Sequence, residues 1–402
     1  MVKSFWYLIM INIKNLNIIN KRVLIRVDYN IPIIKSKIIN DFRLKSSFET
    51  INYCLSQNCS IVLMSHLGRP KQKDDKYSLE PIIEYLEDNF NTYVHFSEDC
   101  ISEKSIKTSK EMLPKEIHLL ENLRFYKEEL INDLGFAEKL SKHGEYYICD
   151  SFGTSHRMHT SNSSILSFYK NKSAIGFLML KEFKYLTQSN LDSNKLTVII
   201  GGAKISTKLK MIDFYIDNCN NIIIGGAMAF TLLKAKDVKV GLSLIEDDMI
   251  SESKRILERV KKSKTNLLLP VDIVCRDTIS NDISIEDINN IDSNQIGLDI
   301  GPESTLIFSQ YIEQSSYIVW NGPMGMFEDL SFATGTQSIA NTIASVGSDS
   351  KTIIGGGDTV SAIEMTQPLS KYTHVSTGGG ASLKLLSGET LDFQNSWEKY
   401  AK

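Results

Sequence analysis

The stretch Thr352–Glu364, TIIGGGDTVSAIE, decides the fold of this 402-residue chain. Its first three residues predict a short buried strand, its glycines predict a tight loop, and the spacing of Val360 and Ile363 predicts a helix. Strand, glycine loop and helix in this order form the repeating unit of an open α/β sheet. Glycines leave backbone N–H groups uncovered, and the unpaired N–H groups at a helix start attract anions, so the loop is a candidate phosphate site.

The acidic residue after the glycines leaves two interpretations open. A carboxylate beside a phosphate needs a cation between them, so Asp358 is a candidate Mg²⁺ ligand. Alternatively, Asp358 or Thr359 is only the N-cap of the helix in a tight turn. The loop alone does not decide between these interpretations.

The same strand-then-glycine unit recurs through the second half of the chain. Strands are predicted at residues 197–200, 221–224, 266–269 and 316–320. Helical stretches such as Asp247–Lys262 lie between them. Strands that alternate with helices predict a parallel, doubly wound sheet, with the glycine clusters at the carboxyl ends of the strands, where such sheets bind ligands.

Three charged residues near these strand ends suit a nucleotide. Lys204 and Lys208 are four residues apart, and we expect them on one helical face, aimed at phosphate. Glu328 follows a Gly-Pro turn and is a candidate partner for ribose hydroxyls, with an exposed loop acid as the alternative. The chain has no GxxxxGK[ST] motif, no GxGxxG with a downstream acid and no HRD and DFG pair, which excludes the common nucleotide-site classes.

The first part of the chain is rich in arginine and poor in glycine. Six of the nine arginines precede residue 160, but only four of the 23 glycines do. Strands predicted at 21–27, 60–64, 117–120 and 146–149 lead into segments that carry Asp28, Asn30, His66, Arg69, Arg124 and Arg157. Because these segments follow strand ends, we expect one basic cleft for a small anion.

Arg43 belongs to the same group, in the first turn of a helix predicted over Asp41–Asn58. A cation there opposes the helix dipole, which indicates another task for this side chain. The alternative is an exposed arginine paired with Asp41 or Glu49.

Composition excludes several classes of protein. Apolar residues make up 42% of the chain, charged residues 23%, and the net charge of −3 gives no reason to expect nucleic acid or a membrane surface as partner. Six scattered cysteines, without ligand-like spacing, indicate reduced thiols in a cytosolic protein. There is no signal-peptide pattern and no long apolar run. Few charges cluster outside the cleft, so we expect a monomer. The polar, turn-like stretch Gln188–Lys195 is the expected connection between the domains.

Ten motifs, in order, resemble those of the phosphoglycerate kinase family. They are RVDYNIP, SHLGRP, LLENLRF, DSFGTSHRMH, GGAKISTKL, GGAMAFTLLKA, GLDIGP, WNGPMGMFE, GGGDTVSA and HVSTGGGASLKLL, between about Arg22 and Ser387. The resemblance implies two Rossmann-like domains joined by a hinge helix: residues 1–179 for the triose phosphate and 180–388 for Mg-nucleotide, with the tail 389–402 returning to the first. It also implies reversible phosphoryl transfer between ATP and the carboxylate of 3-phosphoglycerate, giving 1,3-bisphosphoglycerate and ADP.

The resemblance assigns roles by motif position. The implied triose-binding residues are Asp28, Asn30, Arg43, His66, Leu67, Gly68, Arg69, Arg124 and Arg157. The implied nucleotide-binding residues are Gly201, Gly202, Lys204, Lys208, Gly225, Gly226, Gly297, Asn321, Pro323, Glu328, Gly356, Gly357, Asp358 and Thr359. Arg43, Lys204 and Lys208 are expected to be catalytic, and Asp358 to bind Mg²⁺.

A carboxylate nucleophile has no proton to lose, so this reaction needs charge neutralisation and water exclusion rather than a general base.

Two alternatives remain at this point: a non-catalytic nucleotide- or phosphosugar-binding protein on the same fold, and a phosphotransferase with a larger acceptor. The chain departs from the family in its long start, in Leu180 where the family has an acid, and in its tail Leu391–Lys402.

Overall fold

The computed structural model describes residues 10–187, 195–346 and 349–401. The chain forms two compact units. One runs up to Lys184 and includes Thr390–Ala401, and the other covers Tyr185–Glu389. Of the connection expected at Gln188–Lys195, all but Lys195 lies outside the described residues.

Twelve of the seventeen strands in the described residues form two separate parallel sheets, one in each unit. The strands are β1 Arg22–Val27, β2 Ile33–Ile34, β3 Lys37–Ile38, β4 Ser60–Met64, β5 Val94–Ser97, β6 Ile117–Leu120, β7 Tyr146–Asp150, β8 Ser173–Ile175, β9 Leu196–Ile200, β10 Asn221–Ile224, β11 Asn266–Leu268, β12 Asp272–Asp277, β13 Ile283–Asp287, β14 Gln295–Ile300, β15 Tyr317–Asn321, β16 Lys351–Gly355 and β17 His374–Val375. The first sheet has the order β5-β6-β4-β1-β7-β8 and the second β11-β10-β9-β15-β16-β17. The predicted fold class is confirmed.

Helices connect these strands. The α-helices are α1 Phe42–Ser46, α2 Phe48–Ser56, α3 Ile83–Phe90, α4 Glu103–Glu111, α5 Lys127–Leu130, α6 Leu134–Ser141, α7 Phe177–Leu186, α8 Leu209–Tyr215, α9 Met228–Ala235, α10 Ile250–Lys261, α11 Pro302–Glu313, α12 Thr334–Ser345, α13 Gly357–Glu364, α14 Gly379–Leu386 and α15 Asp392–Tyr400. The central strands are buried on both faces, which explains their runs of Val, Ile and Leu.

The structure differs from the prediction in two places. The helix expected over Asp41–Asn58 is divided at Ser47, whose hydroxyl donates to the carbonyl of Leu44 and also contacts the hydroxyl of buried Tyr29. A small antiparallel sheet, β13-β12-β14, was not predicted at all. Its edge strand β13 is mostly exposed, so it lacks the apolar run that marks the other strands.

The tail helix α15 packs within the first unit. Phe393 and Trp397 are buried, and the backbone N–H of Phe393 donates to the carbonyl oxygen of Ser155 at 3.0 Å. Ser396 and Ser163 join their hydroxyls in the same region. The tail therefore lies against the loop that follows β7, despite its atypical sequence.

No helix in the described ranges is long and apolar enough to span a membrane. All six cysteines are free thiols, and all but Cys219 are buried.

Candidate active site

Both sheets reverse their strand order beside their first strand. β1 lies between β4 and β7, and β9 lies between β10 and β15. The chain therefore leaves each central strand in one direction and later returns on its other side. Open α/β sheets bind ligands in the crevice at such a reversal, beyond the carboxyl ends of the strands.

A buried arginine organises the crevice of the first unit. Arg26 on β1 is fully buried, and its Nε donates to the Ser161 hydroxyl at 2.7 Å. Its Nη2 lies 3.2 Å from Nδ1 of His66. An arginine has only donors, so this contact requires that Nδ1 carry no proton. Burial, followed by the charge of Arg26, lowers the pKa of His66 well below its ordinary value.

Arg43 reaches the same crevice from helix α1. Its Nη1 lies 3.1 Å from the carbonyl oxygen of Asn30 and 3.4 Å from the Asp28 carboxylate. The Asn30 side chain accepts from the backbone N–H of Gly68 at 2.8 Å. The Arg43 side chain keeps 27% of its surface exposed, against 3% for Asp28. The guanidinium is therefore held in place but remains accessible to a ligand.

Arg124 and Arg157 add further positive charge. Arg124 donates to the carbonyl oxygen of Gly68. Burial and the charges of Arg26 and Arg157 lower the pKa of Arg124 to about 10. Burial and the charges of neighbouring arginines lower the pKa of His159 to about 3. Like charges that depress one another's pKa values define a site that an anion would stabilise.

The structure brings together most of the predicted residues of this half. Leu67 is buried, and its backbone N–H and C=O bond the side chain of Asn122, so it shapes the loop. Arg69 is exposed at the rim. Arg26 was not among the predicted site residues, although its charge inside an apolar parallel strand is a signal, because such a strand is buried on both faces.

The second unit contains a cavity of about 320 Å³ at the carboxyl ends of its strands. Its lining residues are Gly202, Ala203, Gly226, Ala227, Leu244, Ile296, Gly297, Leu298, Pro323, Gly325, Met326, Phe327, Glu328 and Asp358. The walls are mainly apolar, and Glu328 and Asp358 are the acidic residues among them. Apolar walls with few polar groups suit a ligand that has a flat ring and a polar group attached to it.

The predicted glycines of this cavity divide into two kinds. A Cβ on Gly201 would lie 2.1 Å from the carbonyl oxygen of Pro323, and one on Gly297 would lie 2.2 Å from the ring of Phe230. Gly225 and Gly226 are similarly crowded, so these glycines let neighbouring segments pack. Gly202 and Gly357 instead face open space. Gly202 and Gly357 therefore have room for a ligand beside the backbone, while Gly226 and Gly297 line the cavity although their Cβ positions are filled.

The glycine loop after β16 leads into helix α13 without a side-chain cap. Gly356, with φ of +98°, occupies the N-cap position. Thr359 accepts from the backbone N–H of Gly322 at 2.7 Å and donates to the carbonyl of Gly355 at 2.9 Å. The interpretation of Asp358 or Thr359 as N-cap is therefore wrong, and the first turn of α13 is left without a side-chain cap.

Helix α14 begins beside helix α13. A Cβ on Gly379, the first residue of α14, would lie 3.8 Å from the backbone nitrogen of Gly357. Both helices thus present their positive ends at one place. This arrangement favours an anion such as a phosphate.

Lys208 lies near this place and donates to the side-chain oxygen of Asn321. Burial lowers the pKa of Lys208 to about 8, against the opposing effect of Asp358. The other side-chain atom of Asn321, Nδ2, is buried without a hydrogen-bond partner in the described structure. An orphaned donor beside a half-buried ammonium indicates that an acceptor belongs here.

Lys204 and Lys208 do not share one helix, so that prediction is wrong. Lys204 is extended and exposed, and a 3-10 turn at Ile205–Thr207 follows it. Helix α8 begins only after Lys208, because the N–H of Lys208 already bonds the carbonyl of Ile205. The two ammonium groups therefore have different environments.

The family model described as Phosphoglycerate kinase matches residues 13–389. The chain belongs to the phosphoglycerate kinase family. The protein of that name from Prochlorococcus marinus (strain MIT 9312) is 42% identical over 383 residues, 93% of this chain and 95% of the relative. The one from Finegoldia magna is 42% identical over 385 residues, 94% of this chain and 96% of the relative.

Solved structures of phosphoglycerate kinase agree. The structure from Coxiella burnetii superposes with a TM-score of 0.86 at 31% identity and covers 98% of this chain and all of the other. The structure from Pyrococcus horikoshii has a TM-score of 0.83 at 28% identity and covers 97% of this chain and 98% of the other. The chain is thus an enzyme of the phosphoglycerate kinase family, a kinase of glycolysis. These findings do not favour the non-catalytic alternative.

Proposed function

We propose that this enzyme transfers a phosphoryl group reversibly between ATP and the carboxylate of 3-phospho-D-glycerate, giving 1,3-bisphosphoglycerate and ADP. One observation carries the proposal. The chain has two half-sites of different chemistry, a crevice of cationic side chains in one unit and an apolar cavity beside two helix starts in the other. A triose phosphate suits the first and a nucleotide the second.

In the first half-site, Arg124 and Arg157, with Arg69 at the rim, bind the 3-phosphate. His66 assists as a neutral imidazole, since its pKa lies well below the ordinary value. Asp28 and Asn30 bind the hydroxyl and carboxylate region of the glycerate. The backbone of Leu67 and Gly68 sets the turn that joins these groups. These residues belong to the unit that runs up to Lys184 and includes the returning tail.

In the second half-site, the unit Tyr185–Glu389 binds the nucleotide. The adenine lies in the apolar cavity near Gly226 and Gly297, and Glu328 accepts hydrogen bonds from the ribose. The phosphates lie at the starts of α13 and α14, within reach of Lys208. Support comes from the open backbone at Gly202 and Gly357 and from the orphaned Asn321 amide.

Mg²⁺ belongs with the nucleotide, held by Asp358. The donor chemistry fits, because Asp358 is an exposed carboxylate that lines the cavity. No group of three or more His, Cys, Asp or Glu residues in the described ranges could hold a metal by itself. A single carboxylate suits Mg²⁺ bound mainly by phosphates and waters. The bound ion neutralises phosphate charge.

The residues of this chain then account for the chemistry. The acceptor carboxylate is already a nucleophile, so no side chain needs to remove a proton. Arg43 faces the transferring phosphoryl from the triose side, and Lys208 and Lys204 face it from the nucleotide side. Preorganised cations of this kind stabilise the charge of the transition state. We propose that closure about helix α7 brings the two half-sites to one phosphoryl group and excludes water.

We also propose that the enzyme works as a monomer in the cytoplasm, without nucleic-acid or membrane partners. Six free thiols are typical of a reducing compartment. Light scattering after size-exclusion chromatography tests the oligomeric state, and the expected mass is that of one 45.4 kDa chain.

A coupled assay tests the proposed function. The purified chain receives 3-phosphoglycerate and Mg-ATP, and ADP formation is recorded. Turnover is expected with 3-phosphoglycerate and not with phosphate esters of larger sugars. Tight binding of both substrates without turnover would instead support the non-catalytic alternative, and turnover with a larger acceptor would support a different phosphotransferase.

A further inference from the structure

Helix α7 contains the boundary between the two units. Its first turn is capped by side chains that belong to other elements of the first unit. Its first three N–H groups have no partner within the helix, whereas Leu180 bonds the carbonyl of Gly176 normally. The N–H of Phe177 donates to the Thr50 hydroxyl at 2.9 Å. The N–H of Met179 donates to Asp150 Oδ1 at 3.2 Å, and that of Leu178 also bonds this carboxylate.

The two capping side chains are joined to each other. Thr50 lies on α2, Asp150 ends β7, and both are fully buried. Thr50 accepts from Phe177 and has one proton to donate, which it gives to Asp150. Two buried residues from two different elements thus cap the start of α7, Thr50 at the N–H of Phe177 and Asp150 at the N–H of Met179.

The sequence makes room for this arrangement at Gly176. A Cβ on Gly176 would lie 2.3 Å from Oδ1 of Asp150. Any larger residue would push the carboxylate away from the helix. The backbone N–H of Gly176 bonds the carbonyl of Cys149, which fixes the start of α7 against β7.

The surroundings of Asp150 contain little to fix its charge. The charged neighbour is Glu49 on α2, itself paired with Lys181 of α7 at 2.7 Å, while Tyr29, Cys54 and Cys149 face it as neutral groups. Burial raises the pKa of Asp150 to about 7. Its Oδ2 is buried without a partner in the described structure. A proton added at Oδ2 therefore leaves the Oδ1 hydrogen bonds intact but removes their charge.

We propose that Asp150, together with Thr50, is a positioning residue for phosphoryl transfer: it holds the start of the connecting helix, and its protonation changes how firmly that helix is held. The inference rests on the proposed function, because it assigns helix α7 a part in bringing the half-sites together. Neither residue touches the groups assigned to substrate. Charge-assisted hydrogen bonds are stronger than neutral ones, so the ionised form holds the helix more firmly.

The first test is amide hydrogen exchange at residues 177–179 in the full-length chain. We expect Thr50→Val and Asp150→Asn each to accelerate exchange there by about fivefold or more, the loss typical of a helix cap. Thr50→Ser keeps the hydroxyl and should restore protection. Asp133→Ala removes the N-cap of α6, where Asp133 accepts from the N–H of Phe136 at 2.7 Å, and serves as the matched control in the same unit.

The second test is steady-state kinetics of the same variants. Thr50→Val and Asp150→Asn should lower kcat about fivefold, by the same cap argument, with KM for both substrates within twofold. The ratio of wild-type to Asp150→Asn kcat should rise between pH 6 and pH 8, because only the wild type gains a carboxylate charge. Asp133→Ala should alter stability without changing kcat or its pH profile.

These outcomes separate the two proposals. Faster exchange with unchanged kcat and an unchanged pH profile would show a purely structural cap and overturn the positioning role. Unchanged exchange in both variants would overturn the anchor itself. A wild-type chain that shows no phosphoryl transfer would refute the proposed function and with it the catalytic part of this inference, while the exchange data would still judge the anchor.

Discussion

The two half-sites achieve anion binding by opposite means. The first unit uses long cationic side chains, of which Arg26 is fully buried, held by a neutral histidine, by carbonyl and hydroxyl groups and by the Asp28 carboxylate. The second uses backbone, with glycine loops and two adjacent helix starts, and one partly buried lysine. A side-chain site is sensitive to the loss of charge, whereas a backbone site is sensitive to the gain of a methyl group.

The largest expected effect is in the second half-site. Lys208→Met should reduce turnover about 10²–10³-fold and weaken Mg-ADP binding, because it removes a preorganised cation from the phosphates. Lys204→Met, at an exposed position, should cost clearly less. Isothermal titration with Mg-ADP and the coupled assay measure both variants. Equal losses in the two would contradict the different environments of the lysines.

Glycine substitutions give the next largest effect. Gly226 has φ of +65°, and a Cβ there would lie 2.6 Å from the backbone nitrogen of Gly202, so Gly226→Ala should destabilise the second unit by about 2–4 kcal/mol. Gly357→Ala meets no atom within 4 Å and should leave stability unchanged while it weakens nucleotide binding. Urea unfolding, compared with Mg-ADP titration, measures both. Similar stability of the two variants would remove the distinction between packing glycines and ligand-facing glycines.

A third prediction concerns the stability of the first unit at low pH. This unit contains six of the seven histidines, and buried histidines can make unfolding depend on pH. Nδ1 of His118 and Nδ1 of His143 lie 2.8 and 2.6 Å from one Ser109 hydroxyl. Nε2 of His143 faces the carbonyl of Cys100 at 2.8 Å and must donate. When both rings are neutral, Ser109 donates to His143 and accepts from His118.

Burial lowers the pKa of His118 to about 3 and of His143 to about 4. The unfolded chain takes up these protons near pH 6.5, so the free energy of unfolding should fall as pH drops from 6.5 towards 4, by about 2 kcal/mol per histidine at pH 5. Urea unfolding at pH 7 and pH 5, with His118→Asn as the comparison, measures this. An equal pH dependence in that variant would exclude His118 as a cause.

The smallest effect is the pH dependence of nucleotide binding. The pKa of Lys208 is lowered to about 8, so the free enzyme loses this cation above pH 8. Mg-ADP affinity should therefore decline by up to about tenfold between pH 7.5 and pH 9, roughly one lost charge-assisted hydrogen bond. Lys208→Arg remains charged over this range and should flatten the curve. A flat wild-type curve would show that the ammonium does not contact the phosphates.

Much of this organisation was predictable from the sequence. The strand ends at Asp28, His66 and Arg124, and the glycine loop before Asp358, follow from apolar runs that stop at polar or glycine residues. Parallel sheets bury both faces of a strand, so their strands stand out as apolar runs. The same rule explains the failure at β13, a mostly exposed strand.

Other features depend on contacts distant in sequence. Nothing local shows that Thr50 and Asp150 cap α7, because Thr50 lies 127 residues before Phe177 and Asp150 lies 29 residues before Met179. The division of the first predicted helix at Ser47 arises from contact with Tyr29. The sequence does not distinguish Arg26 from the other arginines, because its burial beside His66 is visible only in the structure.

The most direct test of the two-half-site account is a side-by-side measurement of turnover and Mg-ADP affinity in Arg43→Ala. Arg43 belongs to the first unit, and Lys45→Ala, an exposed cation on the same helix, is the matched control. We expect Arg43→Ala to lose turnover by orders of magnitude while its Mg-ADP dissociation constant stays at the wild-type value. Near-normal turnover in Arg43→Ala would contradict the account.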